Sequence, residues 1–203
     1  ATQNKNVNIL QYLYNTFKDT INIYKQTNNG DTIFMLAACN PNVQVIQSLY
    51  NTFKDKININ KQNNSGNTAF MLAAYTSDIE VIQFINNVSH INIYQRNNDG
   101  DTAFMLAAYN KNVEVIKFLH DTFKNKVQIK KKNKYGNTAF MNATISSNIK
   151  VMRFLYSTFK YKIDVFQENK NGDSPFTLDS DSEVTLFLLE AVKYQLGMWT
   201  SEY

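Results

Sequence analysis

The chain has little of several residues on which other protein classes depend. Its single cysteine, Cys39, excludes a disulfide scaffold and a cysteine-built zinc site. With only two histidines, a multi-histidine metal or catalytic cluster is not expected. No apolar run approaches the roughly 20 residues that a membrane span needs, and the N-terminal residues carry no signal-peptide core. We therefore expect a cytoplasmic protein that holds neither a metal nor a cofactor.

Glycine and arginine are also scarce, while asparagine is abundant. The chain has six glycines, and two arginines against 19 lysines, in a protein of net charge +4. Its hydrophobic content of 43% is too high for intrinsic disorder in 203 residues. We interpret the 29 asparagines as background composition that supplies polar turns.

The few glycines are regularly spaced. Five of them recur at intervals of 36, 34, 36 and 36 residues, and each opens a Gly-x-Thr/Ser-x-Phe unit: Gly30, Gly66, Gly100, Gly136 and Gly172. A period of this length indicates stacked repeats. Gly after Asn or Asp favours a tight turn with positive φ, and the Thr or Ser that follows favours a helix N-cap. Each unit thus predicts a turn, a short helix, a longer helix and a hairpin-like extension.

The pattern resembles the ankyrin repeat. The unit of Gly100 carries the resemblance in Thr102, Phe104, Ala107 and Ala108, followed by the segment 114–119. The resemblance implies an all-α solenoid of helix–turn–helix units joined by β-hairpin-like loops. We predict one array: a partial repeat 1–29, repeats 30–65, 66–99, 100–135 and 136–171, and a degenerate C-terminal capping repeat 172–203.

The chain departs from the family template at two positions. The family's proline survives only as Pro175, and its histidine is replaced by Met35, Met71, Met105, Met141 and Thr177. The family's Thr-to-His hydrogen bond therefore cannot form, and we expect methionine to fill the site by packing.

Both ends also differ from a complete repeat. The chain begins inside a repeat, so we expect a fragment of a longer array. In the last helix Leu186 and Leu189 are extra apolar residues, which we expect to bury the tail with Met198, Trp199 and Tyr203.

None of the chemically reactive residues forms an active-site pattern. We expect Cys39 to be half-buried and inert, and His90 and His120 to be solvated variants of the repeat. The glycines match no phosphate-binding loop, and the acidic residues show no catalytic pairing. We expect no catalysis within these residues.

The positions that vary between units indicate a binding surface. The resemblance implies that partners contact the hairpin tips and the inner face of the first helices, which is where the units differ. Aromatic residues are common interface anchors. The candidate partner-binding residues are Tyr24, Tyr75, Tyr94, Tyr109, Lys130, Lys131, Lys132, Lys134, Tyr135 and Phe166. For Tyr75, Tyr94 and Tyr109 the alternative is partial burial within the stack.

Lysines also cluster in one hairpin. The segment Lys124–Lys134 holds six lysines and no acidic residue. Such a segment suits an acidic protein, a nucleic acid or an anionic membrane surface, or is a solvated tip with a compositional bias. A nucleic-acid role is the weaker specific interpretation.

The function predicted first is a non-catalytic scaffold for protein–protein interaction with an unidentified partner protein. Two alternatives stay open: a targeting or regulatory module of a longer enzyme or of a viral or bacterial effector, and binding of nucleic acid or an anionic surface through Lys124–Lys134. We expect the isolated array to be monomeric, and to reside in the host-cell cytosol if its source is an intracellular pathogen or virus.

Overall fold

The computed structural model describes residues 22–76, 78–178 and 181–196. Within these ranges the protein has ten α-helices and no strand, which confirms the predicted all-α class. The helices are α1 Ile33–Ala38, α2 Val43–Phe53, α3 Ala69–Thr76, α4 Ile79–Val88, α5 Ala103–Ala107, α6 Val113–Phe123, α7 Ala139–Ile145, α8 Ile149–Phe159, α9 Pro175–Leu178 and α10 Ser182–Gln195. Single 3₁₀ turns follow α2, α6 and α8 at Lys54–Lys56, Lys124–Lys126 and Lys160–Lys162. Over the same ranges, no helix is long and apolar enough to cross a bilayer.

The helices alternate between a short first helix and a longer second helix in each unit. Successive first helices pack on one another, and successive second helices do the same. The core between the two rows is built from a phenylalanine and at least two alanines of α1, α3, α5 and α7 and from aliphatic residues of each second helix. In α6, for example, Val115, Ile116 and Leu119 are fully buried. Most of the predicted partial repeat 1–29 lies outside the described residues.

Threonine caps start the first helices, as predicted. The hydroxyl oxygens of Thr32, Thr102 and Thr138 each accept the backbone N–H of the methionine three residues on, at 3.2–3.3 Å. Thr68 accepts from Met71 at 3.3 Å. Each such cap satisfies a backbone donor that the helix itself leaves free.

Methionine fills the position of the family's histidine and does more than pack. Met35 is 1% exposed, and its sulfur accepts the backbone N–H of Thr32 at 3.4 Å, completing a reciprocal cap. In the last unit the roles reverse, because Thr177 Oγ1 accepts the N–H of Ser174 at 2.8 Å.

Aromatic rings connect the units. Phe70 meets Phe123 of the next unit edge-on at 6.3 Å between centroids, and Phe104 meets Phe159 in the same way at 6.4 Å. Both pairs join a first helix to the end of the following second helix. This contact explains why the Thr-Phe-Lys ending of the second helices recurs.

The glycine turns stack into a continuous row of tips. All five turn glycines have φ between 76° and 86°, a region that only glycine enters without strain. In the last four tips the backbone N–H two residues before the glycine donates to a carbonyl of the preceding tip. These bonds are Asn64 to Asn29 at 3.0 Å, Asn98 to Ser65 at 2.9 Å, Lys134 to Asp99 at 2.7 Å and Lys170 to Tyr135 at 2.9 Å.

An asparagine supports each of the last four tips from within, so at these positions the asparagines do more than supply a polar turn. The four residues stand three positions before a glycine: Asn63, Asn97, Asn133 and Asn169. In the third tip, Asn97 Oδ1 accepts the N–H groups of Asp99 and Asp101 at 3.1 and 2.8 Å. Its Nδ2 donates to Asn67 Oδ1 of the preceding tip at 2.9 Å. The other three repeat this pattern, so each amide side chain links two successive tips.

The last helix packs on the array through polar and aromatic contacts. Tyr156 donates its hydroxyl to the carbonyl of Ala191 at 3.0 Å, and its ring meets Phe187 edge-on at 5.8 Å. Leu186 and Leu189 are 63% and 47% exposed, and the expectation that they bury the tail is not tested. The tail residues with which they were expected to pack lie outside the described residues.

His120 also differs from its prediction. Its side chain is only 26% exposed, because the ring lies edge-on against Phe159 and Phe154 at 5.3 and 5.8 Å. The longer side chains of the next second helix cover a position that sequence alone suggested was solvated. His90 is exposed, as expected.

Alanine substitutions at two of the turn glycines distinguish the stability cost of backbone strain from that of close packing. An alanine Cβ at Gly136 would lie 2.7 Å from the Lys170 nitrogen, whereas one at Gly172 would meet nothing within 4 Å. Both substitutions force a left-handed alanine and should cost about 1 kcal/mol. We expect Gly136→Ala to lose roughly 1–3 kcal/mol more in urea unfolding. Equal losses would show that the approach of the next tip is unimportant.

Replacing a tip asparagine tests the amide links. Asn97→Ala leaves the buried N–H of Asp101 and the part-buried N–H of Asp99 without their acceptor and should cost roughly 2–3 kcal/mol. Asn125→Ala, at an exposed position after α6, is the control and should stay within about 0.5 kcal/mol of wild type. A loss at Asn97 no larger than at Asn125 would contradict the structural role of the amide.

Candidate binding surface

The first helices and the tips enclose a cavity of about 380 Å³. It spans two successive repeats, 66–99 and 100–135, and ends at the tip that leads into Gly136. Its walls include three of the ten candidate residues: Tyr75, Tyr109 and Tyr135. Two carboxylates, Asp99 and Asp101, line it as well. The cavity is therefore both aromatic and acidic.

Two tyrosines at the ends of first helices form one wall. The rings of Tyr75 and Tyr109 meet edge-on, with centroids 5.9 Å apart. Tyr75 is 50% exposed, whereas Tyr109 is half-buried. Burial and the neighbouring carboxylates raise the pKa of Tyr109, so its phenol is neutral at physiological pH. Tyr109 is thus both a packing residue and a surface residue.

Tyr135 closes the opposite side from the next tip. Its hydroxyl donates to Asp99 Oδ1 at 3.0 Å, and its ring remains 55% exposed. The hydrogen bond to Asp99 raises the pKa of the Tyr135 phenol. The ring is therefore tethered at its polar end while its faces stay open to a partner.

A buried carboxylate forms the floor. Asp101 is 6% exposed, and its Oδ1 accepts the amides of Asn133 and Asn142 at 3.0 and 3.4 Å. Burial raises the pKa of Asp101, although the two amides and Arg96 oppose the shift. The hydrogen bonds that Asp101 accepts and the charge of Arg96 therefore do not fully offset the cost of burying its carboxylate.

Sequence analysis did not select Asp101 or Asn142. Asn142 occupies the helix position where other units carry Leu36, Leu72 and Leu106, and it also donates to the carbonyl of Met105 at 3.1 Å. The change from leucine to asparagine in one unit was visible in the sequence. The hydrogen bond from Asn142 to Asp101, 41 residues away, was not visible there.

Comparison with known proteins decides the family. A family model described as "Ankyrin repeats (3 copies)" matches residues 1–97 and 84–169. The chain belongs to the ankyrin-repeat family. No curated protein matches it. Ankyrin repeats are generally protein–protein interaction modules and are typically non-catalytic.

The remaining aromatic candidates of the ankyrin array lie elsewhere. Tyr24, Tyr94 and Phe166 are exposed by 67%, 49% and 53% on the hairpins, but none lines the cavity. Each follows an Asn or Asp whose side chain accepts its backbone N–H at 2.9–3.1 Å. Phe166 stacks on Phe176 of the last unit at 5.9 Å. The sequence grouped these residues with the tyrosines of the cavity, and the structure separates them.

The candidate lysines are also outside the cavity. Lys130, Lys131, Lys132 and Lys134 are all exposed. Lys132 Nζ donates to the carbonyl of Glu168 at 3.0 Å. Among the described residues, none of the four pairs with a carboxylate.

Features that would suggest catalysis are few in the part of the chain that the structure describes. It contains no group of three or more His, Cys, Asp or Glu side chains that could hold a metal. Cys39 is half-buried, and burial raises the pKa of its thiol. A raised pKa disfavours the nucleophilic thiolate.

The buried carboxylate predicts a pH-dependent effect of Asp101→Asn. Its raised pKa means that the folded protein binds this proton more tightly than the unfolded chain, whose carboxyl titrates near 3.8. Wild type therefore loses stability as pH rises through the folded pKa, and asparagine does not titrate. In urea unfolding we expect the variant to gain stability relative to wild type as the pH rises above 3.8, until Asp101 is fully ionised in the folded protein. A constant difference would contradict the shift.

Proposed function

We propose that the array is a non-catalytic recognition module that binds a partner protein on the surface formed by Tyr75, Tyr109, Tyr135, Asp99 and Asp101. The observation that carries the proposal is the convergence of three tyrosines from two successive repeats on one cavity. Tyrosine presents a large contact area with few rotatable bonds and is enriched among residues that dominate binding energy.

The way in which the surface is held supports the proposal. Tyr109 is packed against Tyr75, and Tyr135 is tethered to Asp99. The tips below them are fixed by backbone bonds between units. A surface ordered before binding loses little conformational entropy when a partner arrives.

The other candidate surfaces are less organised. The exposed lysines favour a second candidate, binding of nucleic acid or an anionic surface, whose signature is affinity that falls steeply with salt. They do not line the cavity of Tyr75, Tyr109 and Tyr135, and Lys132 already donates to Glu168. The tyrosine surface would serve equally in a targeting or regulatory module of a longer protein.

Peptide display on the immobilised array tests the proposal. Peptides selected on wild type should lose at least about tenfold in affinity when Tyr75→Ala or Tyr135→Ala removes an anchor. Tyr161→Ala is the matched control, because Tyr161 is 88% exposed and does not line the cavity. Circular dichroism checks that each variant remains folded.

Two results would contradict the proposal. One is equal binding of the selected peptides to wild type and to the Tyr75 and Tyr135 variants. The other is selection of peptides that depend on Tyr161 or on Lys130 and Lys131.

A further inference from the structure

We propose that the cavity binds an arginine side chain of the partner protein, seated between Tyr75 and Tyr135 with its guanidinium at Asp101. The inference rests on the proposed function, because it assumes that a protein segment lies across this surface. It adds the chemistry of the residue that the cavity selects.

The cavity offers hydrogen-bond acceptors that the protein does not use. Both amide donors to Asp101 reach Oδ1, and no described side chain donates to its Oδ2. Asp99 likewise receives the Tyr135 hydroxyl on Oδ1. A guanidinium group carries five N–H donors and no acceptor, so it complements a site of this kind better than a neutral polar group does.

Asp101 is the second indication that something fills the site. It is a carboxylate with only 6% of its surface exposed, and it lines the cavity. A buried carboxylate is stabilised when a cation pairs with it. The described residues that line the cavity include no basic side chain.

Arg96 does not take this role. Its Nε donates to the carbonyl of Gly100 at 2.5 Å, and its Nη2 donates to the carbonyl of Lys132. Its guanidinium is therefore engaged in joining two tips. The face of Asp101 that borders the cavity remains available to a group from outside.

The walls suit the rest of an arginine side chain. Guanidinium is planar, is weakly hydrated and stacks on aromatic faces, whereas lysine carries a compact, strongly hydrated ammonium. Tyr75 and Tyr135 expose about half of their surface and provide such faces. Leu72 and Leu106, which also line the cavity, can cover the aliphatic stem. A volume of about 380 Å³ lies in the range of small ligand sites.

Two matched peptides test the proposal directly. Acetyl-Gly-Arg-Gly-amide and the same peptide with citrulline differ in charge and hardly in shape. Each peptide is titrated into the 203-residue chain, and binding is monitored by NMR of the tyrosine rings. A salt concentration of about 150 mM screens the charges of the distant lysines. We expect saturable shifts at Tyr75, Tyr109 and Tyr135 with the arginine peptide, and at least tenfold weaker binding of the citrulline peptide.

Two substitutions distinguish binding in the cavity from an effect of the protein's overall charge on peptide affinity. Asp101→Asn should weaken the arginine peptide at least tenfold, and the equivalent positions Asn67 and Asn137 show that the turn accepts asparagine. Asp173→Asn makes the same change in the last unit, away from the cavity, and should leave affinity unchanged.

Three results would overturn the arginine proposal: equal binding of the citrulline peptide, equal effects of the two substitutions, or no shift at the three tyrosines. The arginine proposal can fail independently of the proposed function. If peptides from the display experiment bind through Tyr75 and Tyr135 without containing arginine, protein recognition stands and the arginine site does not.

Discussion

The hydrogen bonds of the tips are the constraint on which the array depends. A chain that reverses direction at every glycine leaves backbone N–H and C=O groups without the partners that a helix or sheet would supply. Here one amide side chain makes both kinds of contact. The oxygen of Asn133 accepts the N–H groups of Tyr135 and Asn137 in its own turn, and its nitrogen donates to Asp101 of the preceding tip. Turn closure and the stacking of units are therefore achieved by the same residue. The spacing of the first helices, and with it the cavity, follows from that stacking.

Local rules made the fold predictable. A glycine at positive φ, a threonine three residues before a methionine and an apolar second helix each act within about ten residues. The sequence therefore predicted the turns, the caps and the paired helices in register. Tyr75 and Tyr109 were assigned to a surface because they vary within an otherwise constant template, and the structure places both at one cavity.

The errors and omissions share one cause, which is dependence on a neighbouring unit. His120 is covered because Phe154 and Phe159 come from the next second helix. The partners of the buried Asp101 are Asn133 of the next tip and Asn142 of the next repeat. The tip asparagines were interpreted as compositional bias because the residues to which their amide nitrogens donate lie 30 to 32 positions away. A repeat pattern reveals what one unit contains, but the chemistry of this site arises between units.

Four backbone bonds join the five tips in order, each from one tip to the tip before it. These bonds involve main-chain atoms alone, so they do not depend on which side chains a tip carries. The cavity does depend on them, because it takes Tyr75 from repeat 66–99 and Asp101 and Tyr135 from repeat 100–135. The backbone bonds between tips thus do not fix the order of the units, whereas the cavity does. Repeats added outside this pair would leave the surface intact.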